Sequence, residues 1–153
     1  MKKLCMLGLM LLLFVSVGKS QTIEEVKSAT TNLLSTFDTD QLAVIQIEFE
    51  DSSRTKWTNL PVGLAPRTGL RYGEFSTESR IAFHELLTTL LSSQGYLKTT
   101  SIMMLDDILN EVYAEAYELG LVNDEEKEMI DNLLWDFENY YIAIWNEPNS
   151  ETP

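Results

Sequence analysis

Residues 57–98 constrain the fold of this chain more than any other stretch. The first part of the stretch is rich in proline and glycine, notably at Pro61, Pro66, Gly69 and Gly73. Proline cannot donate a backbone hydrogen bond and glycine favours turns, so this part is predicted to be loop. Ser76 is a favourable N-cap and Gly95 a favourable terminator, which predicts a helix between them. A long loop followed directly by a helix is therefore expected.

Apolar residues recur at helical spacing through most of the remaining sequence. The helix after Ser76 is expected to bury Phe83, Leu86, Leu87, Leu90 and Leu91. The next helix, over about residues 100–119, is expected to turn its apolar side inward and to end at Gly120; the inward residues are Leu105, Ile108, Leu109, Val112 and Ala116.

Two further helices are predicted from their capping boxes. One spans residues 22–36, with Thr22 and Glu25 as the box. It is predicted to break at residues 38–40 and to be followed by a short helical turn at 41–44. The other helix starts at Asn123, which forms a capping box with Glu126. Its apolar residues are Met129, Ile130, Leu133, Leu134 and Phe137. Short connections between helices predict antiparallel neighbours, and hence a small helical bundle.

Two segments have the pattern of strands. Residues 46–50 alternate polar and apolar side chains, and residues 140–145 are rich in aromatic and β-branched side chains. The loop at 51–75 is expected to be ordered by its own apolar residues, Trp57, Leu60, Leu64, Leu70 and Tyr72. The predicted fold is mainly α: a small antiparallel helical bundle with a long ordered loop and one or two short strands.

The first twenty residues have the features of a cleaved signal peptide. Lys2 and Lys3 precede an apolar run at residues 4–17 that is shorter than a membrane span, and small residues precede Gln21. An uncleaved anchor is the alternative. We therefore expect residues 1–20 to direct export to the periplasm or beyond, and residues 21–153 to form one domain that does not engage the membrane after cleavage.

Cleavage changes the chemistry of the chain. It removes Cys5, the single cysteine, and with it any disulfide or thiol chemistry. It also removes three lysines, so the formal charge falls from -13 to -16, with 8 basic residues against 24 acidic ones. Such a chain repels phosphate backbones, and nucleic acid is not an expected partner. The acidity serves solubility or attracts a basic partner.

The residues with the most specific spacing begin at Arg54 and Trp57. They are followed by R-x-G-L-x-x-G at residues 67–73 and by L-S-x-x-G-Y-x-K at 91–98. These residues resemble the N-terminal half of the domain-of-unknown-function family 3500, a family of secreted bacterial proteins. The similarity runs from about residue 40 to the end of the chain. This sequence departs from the family pattern at Ser79 and at Asn146-Glu147.

The resemblance implies a larger protein. Family members are usually more than twice the length of these 153 residues and continue into a β-rich second half with paired histidines. No position here matches those histidines, so their role is not carried over. This chain is therefore expected to be either a fragment of an α+β protein or a short relative that lacks the site.

Four arginines, half of the basic residues left after cleavage, lie within 27 positions: Arg54, Arg67, Arg71 and Arg80. Guanidinium groups bind carboxylates in bidentate fashion. Together with Trp57 they are the candidate binding site for an anionic ligand. The alternative is that these arginines pair with carboxylates of the chain itself.

Other chemical candidates are weaker. His84 is the single histidine, and one histidine cannot form a metal site alone. Glu111, Glu115 and Glu118 share a helix face without a calcium-loop spacing, which favours a solvated face over a Ca²⁺ site. Asp106 and Asp107 point about 100° apart on a helix and cannot converge on one atom. No catalytic or metal-binding residue and no cofactor is identified.

Two functions follow from these observations. The chain is expected to be the helical N-terminal region of an exported protein, supporting a site formed largely by C-terminal residues that it lacks. The alternative is a complete small binding module for a partner protein or an anionic small molecule. In neither case is the chain alone expected to be catalytic.

Overall fold

The computed structural model describes residues 23–150 and confirms a mainly α fold with short strands. Its five α-helices are α1 Ile23–Leu34, α2 Thr39–Ile45, α3 Thr77–Leu90, α4 Ser93–Glu118 and α5 Asp124–Asp131. Its four strands are β1 Gln46–Ile47, β2 Leu70–Arg71, β3 Tyr141–Ile142 and β4 Ile144–Trp145. Three 3-10 turns lie at Ser52–Thr55, Tyr72–Glu74 and Phe137–Asn139.

Capping side chains set the start of several helices. The Ser76 hydroxyl accepts from the backbone N–H of Ser79 at 3.1 Å, and Asn123 forms the predicted capping box with Glu126. A box that the sequence analysis missed, Asp38 with Gln41, starts α2 two residues before the expected turn. The predicted box at Thr22 lies outside the described residues.

The core lies between α1 and α3, where Tyr72 and Phe75 from the neighbouring turn complete it. Ring contacts link these two with Phe83, and Phe37 meets Phe75 edge-on with centroids 4.8 Å apart. Of the α3 stripe, Phe83 and Leu86 are buried, whereas Leu90 is half exposed. Among the described residues, the buried apolar side chains are those of Leu33, Leu34, Phe37, Ile45, Leu70, Tyr72, Phe75, Ala82, Phe83, Leu86 and Met103.

The predicted helix end at Gly95 is wrong. The helix stops at Leu90, and Leu91 takes an extended conformation with φ −113° and ψ 149°. Ser92 then accepts from the N–H of Gly95 at 3.1 Å and starts α4. Because a serine N-cap satisfies orphan N–H groups of a new first turn, Gly95 lies inside that turn rather than at a helix end. Helix α4 consequently begins seven residues earlier than expected.

The inward face assigned to α4 is also wrong. Leu105, Ile108 and Val112 are 56%, 51% and 53% exposed, and the one buried residue of the helix, Met103, lies on the opposite side. Polar contacts hold that opposite side against the domain. For example, Asp107 accepts from the backbone N–H of Phe137 at 2.6 Å. Leu109 and Ala116 are half-buried, so none of the five expected residues enters the core.

The ends of α4 and α5 differ. Gly120, at φ +69°, closes α4 as expected: its N–H donates to Tyr117, and the N–H of Leu121 donates to Ala116. The last helix is shorter than predicted. It ends at Asp131, and Leu134 adopts φ +59°, so Leu133, Leu134 and Phe137 lie beyond α5, with Phe137 at the start of the last 3-10 turn.

The C-terminal segment forms two strands rather than one. β4 pairs in parallel with β1, Gln46 opposite Ile144, and β3 pairs antiparallel with β2, Leu70 opposite Ile142. The predicted strand at 140–145 is therefore divided at Ala143 between two partners. One partner, β2, lies within the segment predicted to be loop.

The long loop is held less by apolar side chains than expected. Leu70 and Tyr72 are buried as predicted, but Trp57, Leu60 and Leu64 are exposed, which corrects their assignment. Backbone acceptors hold this part of the loop instead. The Arg67 guanidinium donates to the carbonyl oxygens of Ala65 and Leu60, and the N–H of Gly63 donates to Leu133.

Candidate functional site

A cleft of about 510 Å³ lies between the long loop and β4. Trp57 and Arg67, both candidate site residues from the sequence, line it together. We call it the Trp57–Arg67 cleft; its other lining residues are Ser53, Lys56, Thr58, Pro66, Thr68 and Trp145. The structure thus combines two cations, two indoles and three hydroxyl groups in one depression.

The cleft wall is fixed by the 3-10 turn at Ser52–Thr55. Asp51 caps this turn by accepting from the N–H of Ser53 at 2.7 Å, and hydrogen bonding to Ser53 lowers the pKa of the Asp51 carboxyl. The Ser53 hydroxyl in turn accepts from Trp145 Nε1 at 3.3 Å. The backbone N–H of Lys56 closes the turn by donating to the Ser53 carbonyl at 3.1 Å. One indole and the lysine backbone are therefore positioned by the same short turn.

Arg67 is oriented by the loop that it organises. Its Nη1 donates to the Ala65 carbonyl at 2.6 Å and its Nη2 donates to the Leu60 carbonyl. A guanidinium group has five N–H donors, of which these two bonds use two. The charged group is consequently held at the cleft with donors remaining for a ligand.

The other three arginines lie in different settings. Arg54 donates to the Phe49 carbonyl at 2.8 Å and places its guanidinium carbon 4.1 Å from the centroid of the Phe49 ring. Arg80 Nη2 donates to Glu138 Oε1 at 2.7 Å, and Arg71 Nη1 donates to Asn139 Oδ1 at 3.2 Å. The hydrogen bond from Arg80, followed by the charges of Arg80 and Arg71, lowers the pKa of Glu138. Arg71 and Arg80 thus meet around a carboxylate of the chain.

A hydrogen-bonded triad that the sequence analysis missed surrounds His84. Its Nε2 atom lies 3.1 Å from the Tyr72 hydroxyl, and its Nδ1 atom lies 3.0 Å from the Tyr96 hydroxyl. A neutral imidazole has one donor and one acceptor nitrogen, so one tyrosine accepts while the other donates. Burial lowers the pKa of His84 and is the main cause that raises the pKa of Tyr72. The three residues come from separate elements, and no sequence spacing indicates such a triad.

The surface beside this triad forms a second, more open depression of about 510 Å³. Arg80, His84 and Glu85 are among its lining residues. The Arg80 guanidinium carbon lies 4.8 Å from the centroid of the Tyr72 ring. A base, a cation and a carboxylate therefore share this surface, whereas Arg67 lines the other cleft.

The remaining acidic and aromatic candidates of α4 lie at the surface or pack locally. Glu111, Glu115 and Glu118 are exposed. Tyr113 stacks on Trp135 with centroids 5.5 Å apart, and the Tyr117 hydroxyl donates to Asp124 at 2.8 Å. Within residues 23–150, no three His, Cys, Asp or Glu side chains are grouped so as to hold a metal ion. The same range contains no helix with the length and apolar character needed to span a bilayer.

Comparison with known proteins identifies the family. A family profile described as "Protein of unknown function (DUF3500)" matches residues 19–153. The chain belongs to this family. The DUF3500 match begins before α1, whereas the motifs alone indicated similarity from about residue 40, so the first helix is part of the family's shared sequence. No curated protein and no solved structure gives a significant match.

Proposed function

We propose that this chain is the exported N-terminal helical region of a DUF3500 protein, and that α4 docks onto the C-terminal part of the longer polypeptide. The observation that carries the proposal is the outward apolar side of α4. We call it the α4 outer face; it consists of Leu97, Met104, Leu105, Ile108, Val112 and Leu119, each between 51% and 66% exposed.

The α4 outer face has the geometry of an interface. At 100° per residue its six members fall within about 100° of arc, and the 26-residue helix is about 39 Å long. Contiguous exposed apolar patches on a monomer commonly mark interaction surfaces. Fully burying one large aliphatic side chain contributes about 1.5–3 kcal/mol, so covering this face would be strongly favourable.

The charge around this face favours a C-terminal segment over a second copy of the chain. Glu115 lies within the same arc, Glu111 and Glu118 lie beside it, and all three are exposed. Two copies meeting through α4 would bring these carboxylates together, in a chain whose formal charge is already -13. A covering segment with basic residues opposite these carboxylates avoids that repulsion.

This arrangement gives the helical region a supporting role without catalysis of its own. The α4 helix is tied to the core on its inner side, through Tyr96 to His84 and through Asp107 to the backbone of Phe137. A segment packed on the outer side would therefore be held by a fixed helix. The reacting or ligand-binding groups would come largely from that segment.

The first test is the intact mass of the protein secreted by its native cells, with its N-terminus assigned. We expect the protein to start near Gln21 and to have a mass well above 17.5 kDa. We also expect residues 21–153 alone to bind an apolar dye that the native protein does not bind. A native protein that consists of residues 21–153 and is monodisperse without dye binding would overturn the proposal.

A second candidate function rests on the Trp57–Arg67 cleft. In that case residues 21–153 are a complete extracytoplasmic module that binds a partner or an anionic small molecule without catalysis. The same mass measurement separates the two candidates. Retention of a ligand by residues 21–153, lost in Trp57→Ala, would support the cleft as the binding site, and the native mass would decide whether the module is complete.

A further inference from the structure

The Trp57–Arg67 cleft differs in charge from the rest of the chain. Lys56 and Arg67 both line it, and none of its lining side chains is acidic. The nearby Asp51 carboxylate, which also interacts with Lys56, accepts from the Ser53 N–H and is not among the lining residues. A local basic cleft on an acidic protein selects a small anion, because a long polyanion would also meet the repulsion of the surrounding surface.

The aromatic residues of the cleft give it flat apolar faces. Trp57 is 84% exposed, which is unusual for so large an apolar ring, and Trp145 is half-buried with its indole N–H donated to Ser53. Aromatic rings provide large rigid contact area for a ligand with a flat apolar side. The exposed indole of Trp57 lies in the same cleft as the fixed indole of Trp145. This arrangement favours a ligand with a ring whose flat side can pack against an indole.

Hydroxyl groups complete the chemistry. Ser53, Thr58 and Thr68 line the cleft, and each hydroxyl can both donate and accept. A sugar ring has an apolar C–H face for the indoles and hydroxyl edges for these residues. A sugar carboxylate can be bound by Arg67 and Lys56, since guanidinium–carboxylate bonds are charge-assisted. The volume of about 510 Å³ is within the usual range of ligand pockets.

We infer that the Trp57–Arg67 cleft binds a short acidic oligosaccharide, with a uronate carboxylate at Arg67 and Lys56 and a sugar face against Trp57. This inference rests on the second candidate function, for which it names the ligand class, and it is independent of docking on the α4 outer face, because the two sites share no residue. Either proposal can therefore fail without the other.

The test is calorimetric titration of residues 21–153, and of the native protein, with digalacturonate and with the neutral digalactose of the same linkage. We expect digalacturonate to bind with quenching of tryptophan fluorescence, and the neutral disaccharide to bind at least about tenfold more weakly. Trp57→Ala and Lys56→Gln should each weaken binding, Trp57→Ala by about tenfold. Lys98→Gln, a charge-matched change on α4 away from the cleft, should leave the affinity unchanged.

Both test variants are at exposed side chains, so loss of folding does not obscure the result. Arg67→Lys is less suitable alone, because Arg67 also binds two loop carbonyls. No binding of digalacturonate at millimolar concentration would overturn the inference. So would equal binding of the neutral disaccharide, or tighter binding of a nucleotide, which would assign the cleft to a different anion.

Discussion

The Nε2 atom of His84 lies 3.1 Å from the hydroxyl oxygen of Tyr72. His84 is on α3, Tyr72 is in the turn that completes the core, and Tyr96, on α4, holds the other imidazole nitrogen at 3.0 Å. Three elements therefore meet at one titratable ring. The attachment of α4 to the core depends in part on this contact. Protonation of His84 is therefore expected to weaken that attachment.

We expect the pKa of His84 to lie below the ordinary value of 6.5, because burial disfavours the charged imidazolium. The unfolded chain then takes up the proton more readily, so stability contributed by neutral His84 is complete above pH 6.5 and is lost as pH falls toward the folded pKa. Because the sequence contains one histidine, its NMR titration is unambiguous. A midpoint above 6.5 would contradict this prediction, and His84→Gln should reduce the loss of stability between pH 7 and 5.5.

The Glu138 carboxylate is expected to give a second, more acidic pH dependence. Its pKa is lowered by the hydrogen bond from Arg80 and the charges of Arg80 and Arg71. The associated stability is present above the ordinary carboxyl pKa of 4.5 and is lost as pH falls through the lower folded value. Urea unfolding at pH 7 and pH 3 should therefore show a smaller difference for Glu138→Gln than for the wild type. Glu128→Gln, at an exposed position of α5, should leave the difference unchanged.

Gly69 is expected to tolerate no side chain. It adopts φ +107°, and a Cβ atom there would lie 2.2 Å from the Ile142 carbonyl oxygen, which belongs to the β3 strand paired with β2. Gly69→Ala should lower the free energy of unfolding by about 3 kcal/mol, since backbone strain and a backbone clash coincide. Gly120→Ala is the matched control. Gly120 also has a positive φ, +69°, but nothing lies within 4 Å, so the cost should be about 1 kcal/mol. Equal losses of unfolding free energy in both variants would show that the clash with Ile142 adds no cost.

The parts of the fold that the sequence predicts well are those encoded by local chemistry. The Ser76 cap, the Asn123 box and the Gly120 terminator each act within one turn of chain, and each is observed. The same local signals also mislead: Gly95 has the sequence features of a terminator, but Ser92 starts a new helix across it. Here a cap three residues earlier competes with the glycine, and the side-chain hydrogen bond determines the outcome.

Features that depend on distant residues could not be predicted. The β2 strand forms because Leu70 pairs with Ile142, which lies 72 positions later in the sequence. The His84 triad likewise joins residues from three separate elements. Of the candidate site, the sequence indicated Trp57 and Arg67, whereas Trp145 and Ser53 reach the same cleft only through the pairing of β4 with β1. Periodicity identified the apolar side of α4 but not what it contacts, because a stripe facing a core and a stripe facing another segment have the same spacing.

A change to glutamine should have very different effects on stability on the two sides of α4. Met103 is 2% exposed and packs into the core, whereas Ile108, five residues on and about 140° around the helix, is 51% exposed. In residues 21–153, Met103→Gln should lower the free energy of unfolding by about 3 kcal/mol, because it leaves a polar amide in an apolar site. Ile108→Gln should change it by less than about 0.5 kcal/mol and reduce apolar dye binding, because its side chain is already in water. If the longer native protein contains the proposed docked segment, Ile108→Gln should instead destabilise it and restore dye binding. Equal effects of Ile108→Gln in the short and the native protein would mean that nothing covers the α4 outer face.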